Sequence, residues 1–159
     1  MTDKVGGISA VKTKLLALIV TADSGLSPQA SHVFPNWRTD IDFLEEDFPV
    51  VTVRLGTVSF PESVYGRKIS PSEKGHYAVY PFSAHVWEDK AETDPKSKPA
   101  CDLADKIIDV FEKYKGETTG SGIRYFYNVT ARESESERGP QQLCRVIIEG
   151  FILVGRKLS

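Results

Sequence analysis

The chain has 159 residues, 40% of them hydrophobic and 26% charged, and carries a formal net charge of −2. That length suits a single domain, 1–159, with its own core and leaves no room for two of ordinary size. The balanced charge supplies no pull toward nucleic acid or an anionic membrane. Two cysteines, Cys101 and Cys144, are too few for a disulfide framework and read as buried thiols of a reducing compartment.

The first predicted element is a helix over 8–22, where Ile8, Val11, Leu15, Leu18 and Ala22 recur at helical spacing. Lys12 and Lys14 followed by the apolar run 15–22 have the outline of a secretion signal. The apolar spacing begins ahead of the lysines, however, so an amphipathic helix accounts for more of the residues, and the run is too short to span a bilayer. A polar link through Ser27 and Pro28 leads to 32–38, a short extended piece that turns at Pro35 and Asn36. Asp40, Asp42, Glu45, Glu46 and Asp47 then form an acidic run. It lacks the glycine and the ligand spacing of a calcium loop, so a solvated face is favoured over a metal site.

The β-branched run 48–55, bounded by Pro49 and Gly56, predicts a strand inside the sheet. Residues 56–76 carry Pro61, Gly66 and Pro71 with only short apolar pieces, and predict a long loop or hairpin extending beyond the domain body. In the next strand, 76–87, Ala78, Tyr80, Phe82, Ala84 and Val86 share a face, while Pro81 in its middle predicts a bulge or an edge position. After a charged crossing over 88–98 comes a second helix, 99–115, with Leu103, Ile107, Val110, Phe111 and Tyr114 on its apolar stripe, Pro99 at its start and Gly116 as its stop.

A strand follows in which Ile123, Tyr125, Tyr127, Val129 and Ala131 alternate with polar residues, Phe126 alone standing out of pattern. The polar run 133–142 reads as a solvated loop. In the closing strand, 143–156, Cys144, Val146, Ile148, Ile152 and Val154 line one side. The other side mixes Arg145 and Glu149 with Ile147, Phe151 and Leu153, which predicts a central strand partly covered on both faces.

Reactive groups do not converge in the sequence. His32, His76 and His85 fall in separate segments without partners at ligand spacing, and read as surface or structural histidines. Cys144 lies in an apolar face, which favours a core thiol over a nucleophile. Gly116, Gly120 and Gly122 follow a helix, whereas phosphate cradles open one, so they predict a flexible loop. The glycosylation-like triplet from Asn128 to Thr130 lies inside a strand and is discounted. Tyr125, Phe126 and Tyr127 have the shape of a base-stacking platform, but no basic groove accompanies them. No catalytic, cofactor or metal residue is assigned, and the chain reads as no enzyme.

The order α-β-β-β-α-β-β implies an α+β fold, an antiparallel sheet with both helices packed on it. In the opening helix 8–22, the strand 48–55, the loop and strand 56–88, the helix 100–115 and the closing strand 145–154, the chain resembles the tail terminator and tail completion proteins of long-tailed phages. That family includes the phage lambda tail terminator and relatives in prophages and archaeal viruses. The resemblance implies a structural role: a ring, a hexamer, that caps the tail tube, halts its polymerisation and meets the head-completion proteins. Its partners would be itself, the tail-tube protein and the head-completion protein, with no membrane and no sequence-specific nucleic acid. Its place would be the virion, assembled in host cytoplasm, or the cytoplasm for a prophage remnant.

A closed ring requires two different patches that fit each other. The edge of the strand carrying Pro81, or the unmatched half of the final strand, is expected to supply one. Arg67, Lys68 and Lys74 in the loop 61–75 make a candidate contact arm, and Tyr80 and Trp87 are further interface candidates. The competing expectation is a small-molecule-binding or enzymatic domain with a pocket between sheet and helices, lined by Tyr80, Trp87, Tyr125 and Tyr127.

Overall fold

A computed structural model describes residues 5–23, 32–34, 50–59, 68–70, 73–89, 98–117, 120–138 and 141–157. In chain order the elements are α1 (Ile8–Asp23), β1 (His32–Phe34), β2 (Val50–Leu55), β3 (Lys68–Ser70), β4 (Glu73–Asp89), α2 (Lys98–Lys113), β5 (Ile123–Arg138) and β6 (Gln141–Lys157). The sheet runs β1-β2-β4-β6-β5, with β3 against β4. Strands β2, β4, β6 and β5 pair antiparallel, and the short β1 joins β2 in parallel. The class is α+β, as the element order implies.

Period-two alternation divides β4 and β6 cleanly. Ala78, Tyr80, Phe82, Ala84 and Val86, with Val146, Ile148, Ile152 and Val154, are buried against Val11, Leu15 and Ile19 of α1 and Leu103, Ile107 and Phe111 of α2. Both helices therefore lie on one face of the sheet. Residues one position away in each strand point to the other face, and the β4–β6 ladder keeps its register from Gly75↔Lys157 to Asp89↔Leu143.

Pro81 does not mark an edge. Strand β4 is interior, flanked by β2 and β6, with Pro81 opposite Phe151. The Pro81 carbonyl accepts a hydrogen bond from the Gly56 amide (2.7 Å), and Val79 exchanges two bonds with Ser59 on the same side. The backbone polar groups of Pro81 thus point toward β2, just past Leu55, where that strand has ended. Its missing N–H falls where the chain leaves the ladder, and toward β6 it occupies a pair that exchanges no hydrogen bonds.

Strand β5 departs from simple alternation twice. Its register slips between Ile123 and Tyr125 and again between Tyr127 and Thr130, where Asn128 has a φ of 51°. The first slip turns Phe126 inward, stacked on Phe111 at 4.4 Å and edge-on to Phe82 at 5.7 Å. Tyr125 and Tyr127, expected to share a face with Ile123, pair instead with Leu153 and Phe151 on the side away from the helices. The run 133–142 is also strand for most of its length, because β5 continues to Arg138 and β6 begins at Gln141. Its polar composition suggested a loop; the 17-residue partner β6 supplies the backbone bonds that hold it extended.

After α2, the described residues that flank the turn are tied together by hydrogen bonds. Helix α2 stops at Lys113, ahead of Gly116. Ser121 donates from both its amide (3.1 Å) and its hydroxyl to the Glu117 carboxylate, and the Glu117 amide reaches the Ile123 carbonyl at 2.9 Å. Gly122 and Gly6 both have positive φ, and a Cβ at either would lie 2.3 Å from the Gly155 carbonyl oxygen. Here the N-terminal entry to α1, the start of β5 and the end of β6 meet backbone to backbone, and the Tyr80 hydroxyl closes the junction by donating to the Gly6 carbonyl at 2.7 Å.

The junction separates two glycines that sequence alone treats alike. Gly120 also has a positive φ (61°), but a Cβ there would meet nothing closer than a glutamate side chain at 3.5 Å. Gly120→Ala is expected to cost about 1 kcal/mol, the left-handed backbone penalty, and Gly122→Ala about 3 kcal/mol, because a backbone clash is added. Urea unfolding of the two variants checks the difference.

Candidate assembly surfaces

The sheet face opposite the helices carries an apolar block assembled from three strands. Pro81 of β4, Phe151 of β6 and Tyr127 of β5 form one row by register, and Val79, Leu153 and Tyr125 form the next. Tyr125 is 50% exposed and Phe151 38%. Tyr127 stacks on Phe151 at 5.5 Å and meets Tyr125 edge-on at 5.8 Å, so the aromatics fix one another's orientation. Around them stand the exposed Arg54, Arg132 and Glu149, the last two in an ion pair at 3.5 Å. Since both side chains are largely exposed, that pair orients the rim and contributes little stability.

Farther along the same face the sheet is covered. Val50, Thr52, Trp87 and Ile147 are buried there, and the Trp87 indole N–H donates to Thr52 Oγ1 at 3.0 Å. The Trp87 ring stacks on His85 and carries the Arg145 guanidinium over its face at 4.9 Å. Arg145 Nη1 lies 3.3 Å from His85 Nδ1, a contact in which the guanidinium can only donate, so the imidazole accepts as the neutral form. Burial, then the positive charges of Arg145 and Arg132, lower the His85 pKa to about 4.

The other surface belongs to α1. Its inward stripe is Val11, Leu15, Ile19 and Ala22; its exposed positions are Ile8, Ser9, Thr13, Ala17, Val20 and Thr21, without a charge among them. Ile8, expected on the inward stripe, is 53% exposed, and Val20 is 55% exposed. The neighbouring α2 presents Asp102, Asp105, Lys106, Asp109, Glu112 and Lys113 to solvent, the usual outer face of a surface helix.

The residues singled out by sequence fall in different places. Tyr80 is fully buried on the helix side, where burial raises its pKa and keeps the phenol a neutral donor. Trp87 is 2% exposed on the opposite side. Neither side chain is open to a partner. Seven positions apart in one strand, the two must lie on opposite faces, so Tyr80, Trp87, Tyr125 and Tyr127 cannot line one pocket. Lys68 and Lys74 are cross-strand partners in the β3–β4 hairpin. Arg67, the acidic run from Asp40 to Asp47 and the turn at Pro35 and Asn36 lie outside the described residues, as do the side chains of Lys68, Lys74, His32, His76 and Cys144.

A pocket of ≈ 140 Å³ between α2 and β5 is lined by Cys101, Ala104, Ile108, Ala131 and Glu133, among others, with the Cys101 thiol donating to Glu133 at 3.1 Å. It is smaller than the roughly 300 Å³ at which small-molecule sites begin. Among the described residues no group of His, Cys, Asp or Glu is placed to hold a metal ion, and no helix is long and apolar enough to cross a membrane.

The state of His85 sets a pH dependence. Its folded pKa lies below its ordinary value of 6.5, so the unfolded chain binds the extra proton and stability falls as pH drops from about 6.5 toward about 4. His85→Gln keeps an acceptor for Arg145 without titrating. Chemical denaturation across that window is expected to show a shallower loss of stability for the variant than for the parent chain.

No protein-family model matches the chain, and no curated protein matches its sequence. Among solved structures, a chain from the virion of a native gene transfer agent particle aligns over 93% of this chain and 96% of its own length, at 15% identity and a TM-score of 0.42.

Proposed function

We propose that the protein is a non-catalytic virion assembly component of the tail-terminator kind, whose copies form a ring on the end of the tail tube and join it to head-completion proteins. The observation that carries this reading is the apolar block on the sheet face away from the helices, in which Tyr125 and Phe151 are exposed and Tyr127, Leu153, Val79 and Pro81 are half-buried around them. Contiguous exposed apolar surface on a soluble domain marks a contact site. Three long paired strands, β4 and β6 in unbroken register and β5 with a slip on either side of Tyr125 and Tyr127, hold these side chains on one platform, which suits docking between bodies of fixed shape. The layout resemblance to tail terminators supplies the kind of assembly and, with it, the place in a virion.

Within this proposal the β3–β4 hairpin is the arm that meets a neighbouring protein. Its register pair Lys68↔Lys74 lies beyond Gly75↔Lys157, the last β4–β6 pair.

The test is tube length. In particles made without this chain, tail tubes are expected to be overlong and variable and to remain unjoined to heads, with normal tails restored when the chain is supplied. Electron microscopy that finds tails of normal length joined to heads in its absence would refute the proposal.

A further inference from the structure

We infer that the outer edge of β5, over 130–138, takes an extended strand from another protein, one that carries lysine or arginine at every second position on the helix side of the sheet. The inference stands on the sheet topology and goes beyond the assembly reading above without resting on it. Both strands expected to offer an open edge, the one carrying Pro81 and the closing strand, are interior. Strand β5 ends the sheet instead, and among the described residues no strand lies beyond it. Its start is screened by the chain after α2, where the Glu117 amide donates to the Ile123 carbonyl. Past the second register slip the ladder runs unbroken from Thr130↔Glu149 to Arg138↔Gln141, and Thr130, Ala131, Arg132 and Glu133 are exposed. A long, regular strand at the end of a sheet is a template for one more strand.

The residues of that stretch define the kind of strand it accepts. Over 132–138 the chain reads Arg-Glu-Ser-Glu-Ser-Glu-Arg, and a period of two sorts it completely. Glu133, Glu135 and Glu137 pair in register with Val146, Cys144 and Gln142, on the side of the core residue Val146, and the intervening arginines and serines fall on the other side. One side of the edge therefore holds three carboxylate positions and the other holds none. Charge that only guards an edge against pairing needs no such sorting. Charge sorted by face selects a partner, because residues directly opposite across an antiparallel pair attract when unlike and repel when like. A second β5 is the wrong occupant, since antiparallel pairing about Glu135 would set Glu133 against Glu137 and Arg132 against Arg138. A strand with basic residues at every second position meets all three carboxylate positions at once.

The experiment adds short synthetic peptides of threonine and valine to the full chain, with lysine at every second position in one and glutamate at those positions in another. A third peptide has the composition of the lysine peptide in scrambled order. Amide hydrogen exchange followed by NMR is expected to slow over 130–138 when the lysine peptide is added. The glutamate and scrambled peptides are expected to bind at least about tenfold more weakly. The double variant Glu135→Lys, Glu137→Lys is expected to prefer the glutamate peptide, and the milder Glu135→Gln to weaken binding of the lysine peptide; circular dichroism melts establish that each is folded. A lysine peptide that leaves exchange over 130–138 unchanged, a scrambled peptide that binds equally well, or a folded double variant with the parent chain's preference would each overturn the inference.

Discussion

The central strand β6 constrains everything else. Hydrogen-bonded to β4 on one side and β5 on the other along most of its length, it has no freedom to choose which residues face which way. Val146, Ile148, Ile152 and Val154 go to the helices, and Ile147, Phe151 and Leu153 go to the opposite face. A strand apolar on both sides normally sits between two layers of cover. Here the helices cover one side, and on the other Ile147 is buried while Phe151 remains 38% exposed. The incompletely covered face follows from the sequence of a single strand, and the proposed assembly is a way to complete it.

Much of this was legible in the residues. Helix α2 declares itself because its polar and apolar stripes are sharply separated, and β4 because its inward residues alternate without error from Ala78 to Val86. Pro81 misled because proline excludes a strand from the interior only when its missing N–H faces a neighbour. Which way it faces depends on where β2 ends, a fact held by another segment of chain. The two register slips in β5 were equally hidden, since a bulge leaves only a broken alternation, and Phe126 was that break. The polar stretch after Arg132 became strand through its partner's length and not through any propensity of its own.

The surfaces that matter most were visible in part. The mixed outer side of β6 was apparent, but Tyr125 and Tyr127 joined it only through the slip near Arg124. The opposite placement of Tyr80 and Trp87 needed nothing beyond counting, since an odd separation in a strand reverses the face. For α1, the signal was the lack of charge at Ser9, Thr13, Ala17 and Val20, one continuous outer stripe. The same lack of charge gives 15–22 the outline of a secretion signal.

Residue-level solvent access in the free and the assembled protein tests the central claim most directly. Hydroxyl-radical footprinting should oxidise Tyr125 and Phe151 readily in the free chain and leave Tyr80 protected. In purified particles the account predicts that Tyr125 and Phe151 become protected to a level near that of Tyr80. Equal labelling of Tyr125 and Phe151 in the free and assembled states would contradict it, because the uncovered face of the sheet would then be uncovered for good.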